Sequence, residues 1–125
     1  MSMAFLSTRS LQMDRTTTIY GTMTDINQQP VDSILVSIHG LRGLTSEPMG
    51  KEIFSDKDGH YQLVMEVPKK FPGIDVGIPF GTSINPKFQK YYKGHITYNN
   101  EIETINCCRA NIGQKTRYDF QLIAR

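Results

Sequence analysis

Turn-forming residues divide this chain into short runs that are rich in β-branched and aromatic side chains. One such run, residues 16–24, is followed by a polar stretch that closes on Pro30. Another turn, residues 56–59, ends in an Asp-Gly pair, which supplies a positive φ angle between two extended runs. Because no stretch keeps the 3.6-residue hydrophobic period of an amphipathic helix, the pattern predicts an all-β chain.

The predicted strands follow the alternation of apolar and polar residues. They are residues 16–24, 33–39, 51–55, 60–67, 91–98, 101–109 and 116–123. Residues 40–50 are predicted to be a loop because they hold three glycines and Pro48, and residues 68–90 receive no assignment. About seven short strands separated by turns are typical of an antiparallel Greek-key β-sandwich.

The predicted sandwich is a single domain over residues 16–125, preceded by an N-terminal arm over residues 1–15. Its strands alternate so that one face of each is apolar, and these faces are expected to meet in a common core. The predicted core residues are Ile19, Ile34, Val36, Ile38, Phe54, Tyr61, Leu63, Tyr118, Phe120 and Leu122.

Composition narrows the range of partners. The 125 residues include 14 basic and 12 acidic side chains, a balance that does not favour nucleic-acid binding. No apolar run approaches the roughly 20 residues of a membrane helix. The short apolar piece at residues 3–6 precedes Arg9, whereas a secretory signal places its charge first, so the start is predicted to be a plain arm.

Two cysteines, Cys107 and Cys108, are adjacent in the sequence. Neighbouring residues of a strand point to opposite faces, so these thiols are not expected to bond each other. We predict one buried and one exposed thiol in a strand. No second Cys or His pair completes a zinc site at the usual spacing, so no metal or other cofactor is expected.

Three stretches are similar to the carboxypeptidase regulatory-like family, a branch of the transthyretin-like β-sandwiches. The first runs from Ile19-Tyr20-Gly21 through Pro30-Val31 to Ile34-Leu35-Val36, and the second from Ser55-Asp56 through Asp58-Gly59 to Tyr61-Gln62-Leu63. The third is the closing Tyr118-Asp119-Phe120-Gln121-Leu122. The resemblance implies a non-catalytic accessory or adhesive module with an extracytoplasmic or cell-surface location.

Catalytic chemistry finds little support in the sequence. The fold family includes a hydrolase of 5-hydroxyisourate, but its Tyr-Arg-Gly-Ser ending is missing here. Asp56 begins a sequence like a calcium loop, yet the twelfth position is Val67 rather than Glu. Two alternatives stay open. The first is a small hydrolase or metal-dependent enzyme in which His39, His60 and His95 converge. The second is an assembly module that pairs an exposed edge strand with another copy or with a partner chain.

Aromatic residues and lysines are concentrated in residues 71–98. Interleaved aromatic rings and lysines bind carbohydrate or an anionic partner, so we predict a ligand or protein-partner surface in this segment. Its predicted residues are Phe80, Phe88, Tyr91, Tyr92, Tyr98, Lys87, Lys90 and Lys93. The alternative is that the phenylalanines cover an open sheet edge while the tyrosines fill one strand.

Overall fold

The computed structural model describes residues 14–105 and 107–125. Within these residues the chain forms nine strands and one short helix, and none of the helical structure has the length and apolarity that a membrane crossing requires. The elements are β1 (Thr16–Thr24), β2 (Leu35–Arg42), β3 (Thr45–Phe54), β4 (His60–Glu66), β5 (Gly73–Gly77), α1 (Pro86–Tyr91), β6 (Tyr92–Asn99), β7 (Ile102–Thr104), β8 (Arg109–Ala110) and β9 (Lys115–Ala124).

The strands form two sheets, an arrangement compatible with a β-sandwich. The five-stranded sheet has the order β4-β1-β9-β6-β7, and the four-stranded sheet has the order β3-β2-β5-β8. The chain is mostly β, which is compatible with the predicted all-β class, and α1 is the one helix of the described residues. One neighbour pair, β1 with β9, is parallel rather than antiparallel. Parallel neighbours cannot be joined by a tight turn and need a long connection. The chain between β1 and β9 provides that connection, because it includes all four strands of the other sheet.

Both sheets contribute to one hydrophobic core. Nine of the ten predicted core residues are buried, among them Ile19, Val36 and Phe120. Phe54 contradicts the prediction, because 51% of its surface is exposed. Its neighbour Ile53 packs against the core instead, and successive residues of a strand point to opposite faces.

Three other segments differ from the predicted elements. Residues 40–50 are not a loop, because β2 runs to Arg42 and β3 begins at Thr45 as its hairpin partner. Gly43 adopts a positive φ of 63° in the tight turn between them. The predicted strand 101–109 is divided into β7 and β8, which belong to different sheets. The unassigned residues 68–90 contain β5 and most of α1.

The cysteine prediction is partly wrong. Cys107 is exposed and Cys108 is buried, as predicted, but neither residue lies in a strand. The strand alternation that would point their side chains to opposite faces therefore does not apply, and the peptide bond between the two residues is cis.

The start of the domain is held by Arg15, a residue that the sequence pattern assigns to the arm. Its Nε donates to the carbonyl of Val67 at 2.8 Å, and Nη2 donates to the carbonyl of Phe71 at 2.5 Å. These bonds connect the first strand to the segment that follows β4. The rest of the predicted arm, residues 1–13, lies outside the described residues.

The parallel ladder between β1 and β9 is interrupted at Gly21 and Thr22. Regular pairing stops after Tyr20 and resumes at Met23. Two side chains supply hydrogen bonds at the interruption: the Tyr61 hydroxyl donates to the carbonyl of Tyr118 at 2.6 Å, and the Asp119 carboxylate accepts from the Thr22 N–H at 2.8 Å. Tyr61 therefore connects β4 to β9 across β1.

Replacing Tyr61 with Phe tests this connection. The change removes one hydroxyl and leaves the buried carbonyl of Tyr118 without that donor, so we expect the free energy of unfolding to fall by about 1–3 kcal/mol. Urea denaturation measures the effect. Tyr91→Phe is the matched control, because Tyr91 is 53% exposed; equal stability of the two variants would contradict the assigned role of the Tyr61 hydroxyl.

Candidate functional site

Helix α1, in the segment predicted to carry the binding surface, is positioned by the buried side chain of Asn85. Its Oδ1 accepts from the Leu35 N–H at 3.0 Å, while Nδ2 donates to the carbonyls of Leu35 at 3.2 Å and Pro79 at 3.0 Å. The β2–β5 ladder ends at the pair of Ser37 with Gly77, so β5 provides no partner for Leu35. The amide of Asn85 takes the place of that missing strand residue.

The Asn85→Ala variant is expected to be less stable than the wild type by about 1–3 kcal/mol or more, because it leaves both backbone groups of buried Leu35 unpaired. Chemical denaturation measures this loss. Asn27→Ala, in an exposed turn, is the control and should change stability by less than about 0.5 kcal/mol. A loss in the Asn85 variant no larger than in the control would show that the amide does not hold α1.

Only some of the residues predicted to form the aromatic and lysine surface are exposed. Phe88 is fully buried, which corrects its assignment as a ligand-binding residue. It is the one buried residue of α1, and it packs with its ring centroid 6.2 Å from Tyr92 and 5.7 Å from Phe80. A short helix lying on a sheet must bury an apolar side chain, and Phe88 fulfils that role.

The two predicted tyrosines of β6 lie on opposite faces of the five-stranded sheet. Tyr98 pairs with Asp119 on the outer face, whereas Tyr92 stacks on buried Phe88 at the core side. The eight predicted residues therefore do not form one continuous surface. The exposed members near the helix, Phe80, Lys90, Tyr91 and Lys93, are called the α1 surface below. In it, the Lys90 Nζ lies 5.2 Å from the centroid of the Tyr91 ring.

Lys87 is engaged by the protein itself. Its Nζ lies 2.7 Å from Oδ1 of Asp32, and this hydrogen-bonded cation holds the pKa of the Asp32 carboxyl at about 2. The ion pair joins α1 to the segment before β2. The charge of Lys87 is therefore balanced within the domain rather than presented to a partner.

The three histidines lie on different strands. His39 belongs to the four-stranded sheet, His60 begins β4, and His95 lies in β6, which is separated from β4 by two intervening strands. In the part of the chain that the structure describes, no three His, Cys, Asp or Glu side chains group as metal ligands. His95 faces the core, with Nδ1 at 3.1 Å from the Thr97 Oγ1 and its ring edge-on to Phe120 at 5.2 Å.

Burial lowers the pKa of His95 below its ordinary value of 6.5. In the unfolded chain this histidine takes up its proton near pH 6.5, whereas the folded chain binds it only at lower pH. The unfolded state therefore binds more protons, and the free energy of unfolding falls as the pH drops below about 6.5. The Asp32 contribution is lost in a separate window, between its ordinary pKa of 3.8 and about 2.

We expect His95→Gln to flatten the stability profile between about pH 7 and pH 5, where a single buried histidine contributes at most about 1.4 kcal/mol per pH unit. Thermal denaturation of the wild type and variant across this range measures it. His60→Gln, at an exposed position, should keep the wild-type slope. If the His60 variant lost the slope and the His95 variant kept it, the assignment would be wrong.

A cleft of about 520 Å³ lies where β1, β4 and β9 approach the end of β3. Its aromatic residues are Phe54, which is half exposed, Tyr20, and Tyr61, which is buried. The polar lining residues are Thr22, Asp56, His60, Gln62 and Arg117. The sequence pattern missed this site because the predicted strand 51–55 was too short to show which of its two adjacent apolar residues points outward.

The guanidinium group of the cleft is held in place. The Arg117 Nε lies 2.9 Å from Oδ2 of Asp119, and the other oxygen of that carboxylate accepts from the N–H and the hydroxyl of Thr22 at 2.8 and 2.9 Å. The carboxylate that bonds β1 to β9 thus also orients the guanidinium. Lys115, 5.8 Å from the centroid of the Tyr20 ring, adds a second cation nearby.

No protein-family model matches the chain, and no curated protein sequence shows significant similarity to it.

Proposed function

We propose that this chain is a non-catalytic binding module on a transthyretin-like Greek-key β-sandwich, and that it binds carbohydrate in the cleft beside Phe54 and Tyr20. The observation that carries the proposal is the combination, in one cleft, of a half-exposed phenylalanine, a tyrosine and a positioned guanidinium. Protein sites for small ligands commonly combine an apolar wall with a few fixed polar groups.

The proposed fold type is supported by contacts among the residues that carry the family resemblance. A side chain on Gly21 would collide with the Tyr118 carbonyl, and one on Gly59 would crowd Met23 and Pro30. The first, second and last resembling stretches are therefore in mutual contact. Such close backbone approaches require glycine, which gives the sequence motif a structural basis.

The proposed ligand class follows from the chemistry of the cleft. Aromatic faces pack against the C–H faces of sugar rings, and amide, imidazole and guanidinium groups bond sugar hydroxyls. Gln62 and Arg117 supply such groups beside the rings. Because Asp119 neutralises Arg117, we expect neutral oligosaccharides to bind as well as acidic ones.

Binding of the wild-type domain to an array of neutral and acidic oligosaccharides tests the proposal, followed by calorimetry with the sugars that bind. Phe54→Ala is expected to weaken binding about tenfold, since about 1.4 kcal/mol of lost aromatic contact corresponds to that factor. Phe54 is 51% exposed, so the variant should keep its fold, which circular dichroism checks.

The matched control is Phe80→Ala, which removes the same ring from the α1 surface, where Phe80 is 67% exposed. It should leave sugar affinity unchanged. A loss of affinity in the Phe80 variant alone would move the site to the α1 surface. Absence of binding to every sugar on the array would refute the carbohydrate assignment.

A further inference from the structure

The four edge strands of the two sheets differ in how well their backbone is protected. β8 and β7 are two and three residues long, too short to present a ladder. β3 is longer but is interrupted by Pro48 and by Gly50 at a φ of 71°, and Lys51 adds a charge. Prolines, lysines and irregular backbone are the features that keep sheet edges from pairing.

β4 has none of these protecting features. Its seven residues alternate between exposed and buried, without proline, glycine or lysine. Every residue from His60 to Glu66 pairs in regular register with β1 on one side. On the other side, no strand of the described residues pairs with it.

The hydrogen bonds at the two ends of the β1–β4 ladder show which residues face the open side. Met23 donates to Gly59 at 2.6 Å, and Val67 donates to Arg15 at 3.0 Å, so odd-numbered residues of β4 bond to β1. In an antiparallel ladder the intervening residues direct their N–H and C=O groups the other way. These residues are Gln62, Val64 and Glu66, because both backbone groups of His60 already bond Asp56.

We propose that two copies of this chain pair through β4, antiparallel, about a two-fold axis at Val64. In this register Val64 faces its own equivalent, and Gln62 of each copy faces Glu66 of the other. All three open-edge residues then form hydrogen-bonded pairs, with two backbone bonds per pair. The five-stranded sheets of the two copies become one continuous sheet.

Side-chain chemistry selects this register over its neighbours. Val64 is 50% exposed at the centre of the edge, and the two-fold covers it with a second valine. Moving the axis to Glu66 would place two carboxylates opposite each other, which is unfavourable. Moving the axis to Gln62 would place Val64 opposite His60, whose backbone groups are already bonded.

A second copy suits this edge because the edge is complementary to itself. An isologous interface needs a surface that is complementary to its own two-fold image. The edge formed by Gln62, Val64 and Glu66 meets this requirement, because the amide of one copy faces the carboxylate of the other at both ends. The inference goes beyond the proposed carbohydrate binding and does not depend on it.

The first test is the solution mass of the full chain by light scattering over a range of protein concentrations. We expect a dimer that dissociates on dilution, and a monomer for Val64→Lys, which places two cations opposite each other at the axis. Ile102→Lys introduces the same charge at a 72% exposed residue of the β7 edge and should leave the dimer intact. A wild type that is monomeric at every concentration, or a dimer broken by the Ile102 variant alone, would overturn the proposal.

The second test fixes the register. Directly opposed residues of a hydrogen-bonded antiparallel pair have Cα atoms about 5.5 Å apart, within the range that a disulfide spans. Val64→Cys should therefore form a covalent dimer under mild oxidation, mapped by mass spectrometry of the linked peptide. Gln62→Cys should not form one, because the two copies of that residue lie about four residues apart along the ladder. Equal crosslinking of both variants, or none in either, would refute the two-fold at Val64.

Discussion

The interruption of the β1–β9 ladder is the constraint from which most of the structure follows. β1 and β9 occupy central positions of the larger sheet, so their pairing joins the β4 side to the β6 side. At Gly21 the backbone approaches the Tyr118 carbonyl too closely for any side chain. Backbone groups inside a sheet must still be paired, and a hydroxyl from β4 with a carboxylate from β9 provides the partners.

Side chains that complete backbone hydrogen bonding also position the α1 surface and the cleft. Asn85 replaces a missing strand residue beside Leu35 and thereby fixes the start of α1. Asp119 satisfies Thr22 and at the same time aligns Arg117 in the cleft. In each case a polar side chain, fully buried for Asn85 and 15% exposed for Asp119, completes a sheet and sets the position of exposed groups, so the geometry of the surface depends on these hydrogen bonds.

The sequence predicts the fold best where one strand face is fully buried and the other is polar. β1, β4 and β9 alternate in this way, and their predicted bounds agree with the observed ones to within one residue. The pattern was less informative where glycines occur inside a strand, as in β3, or where a strand changes sheets, as between β7 and β8. Phe54 was predicted to be buried and is exposed, whereas Phe88 was predicted to lie on the surface and is buried. Local alternation cannot show which aromatic residue is covered by an element that is distant in sequence.

The cleft and the open edge meet on β4, and this has a consequence for binding. Gln62 lines the cleft, and its backbone groups face the open edge of β4. A two-fold axis that joins antiparallel strands within a sheet is perpendicular to it, so the outer faces of both copies lie on the same side. Two clefts would then face one ligand-bearing surface, and the second binding event would become intramolecular. Weak sites for single sugars would in this way give strong attachment to a polymer that carries many of them.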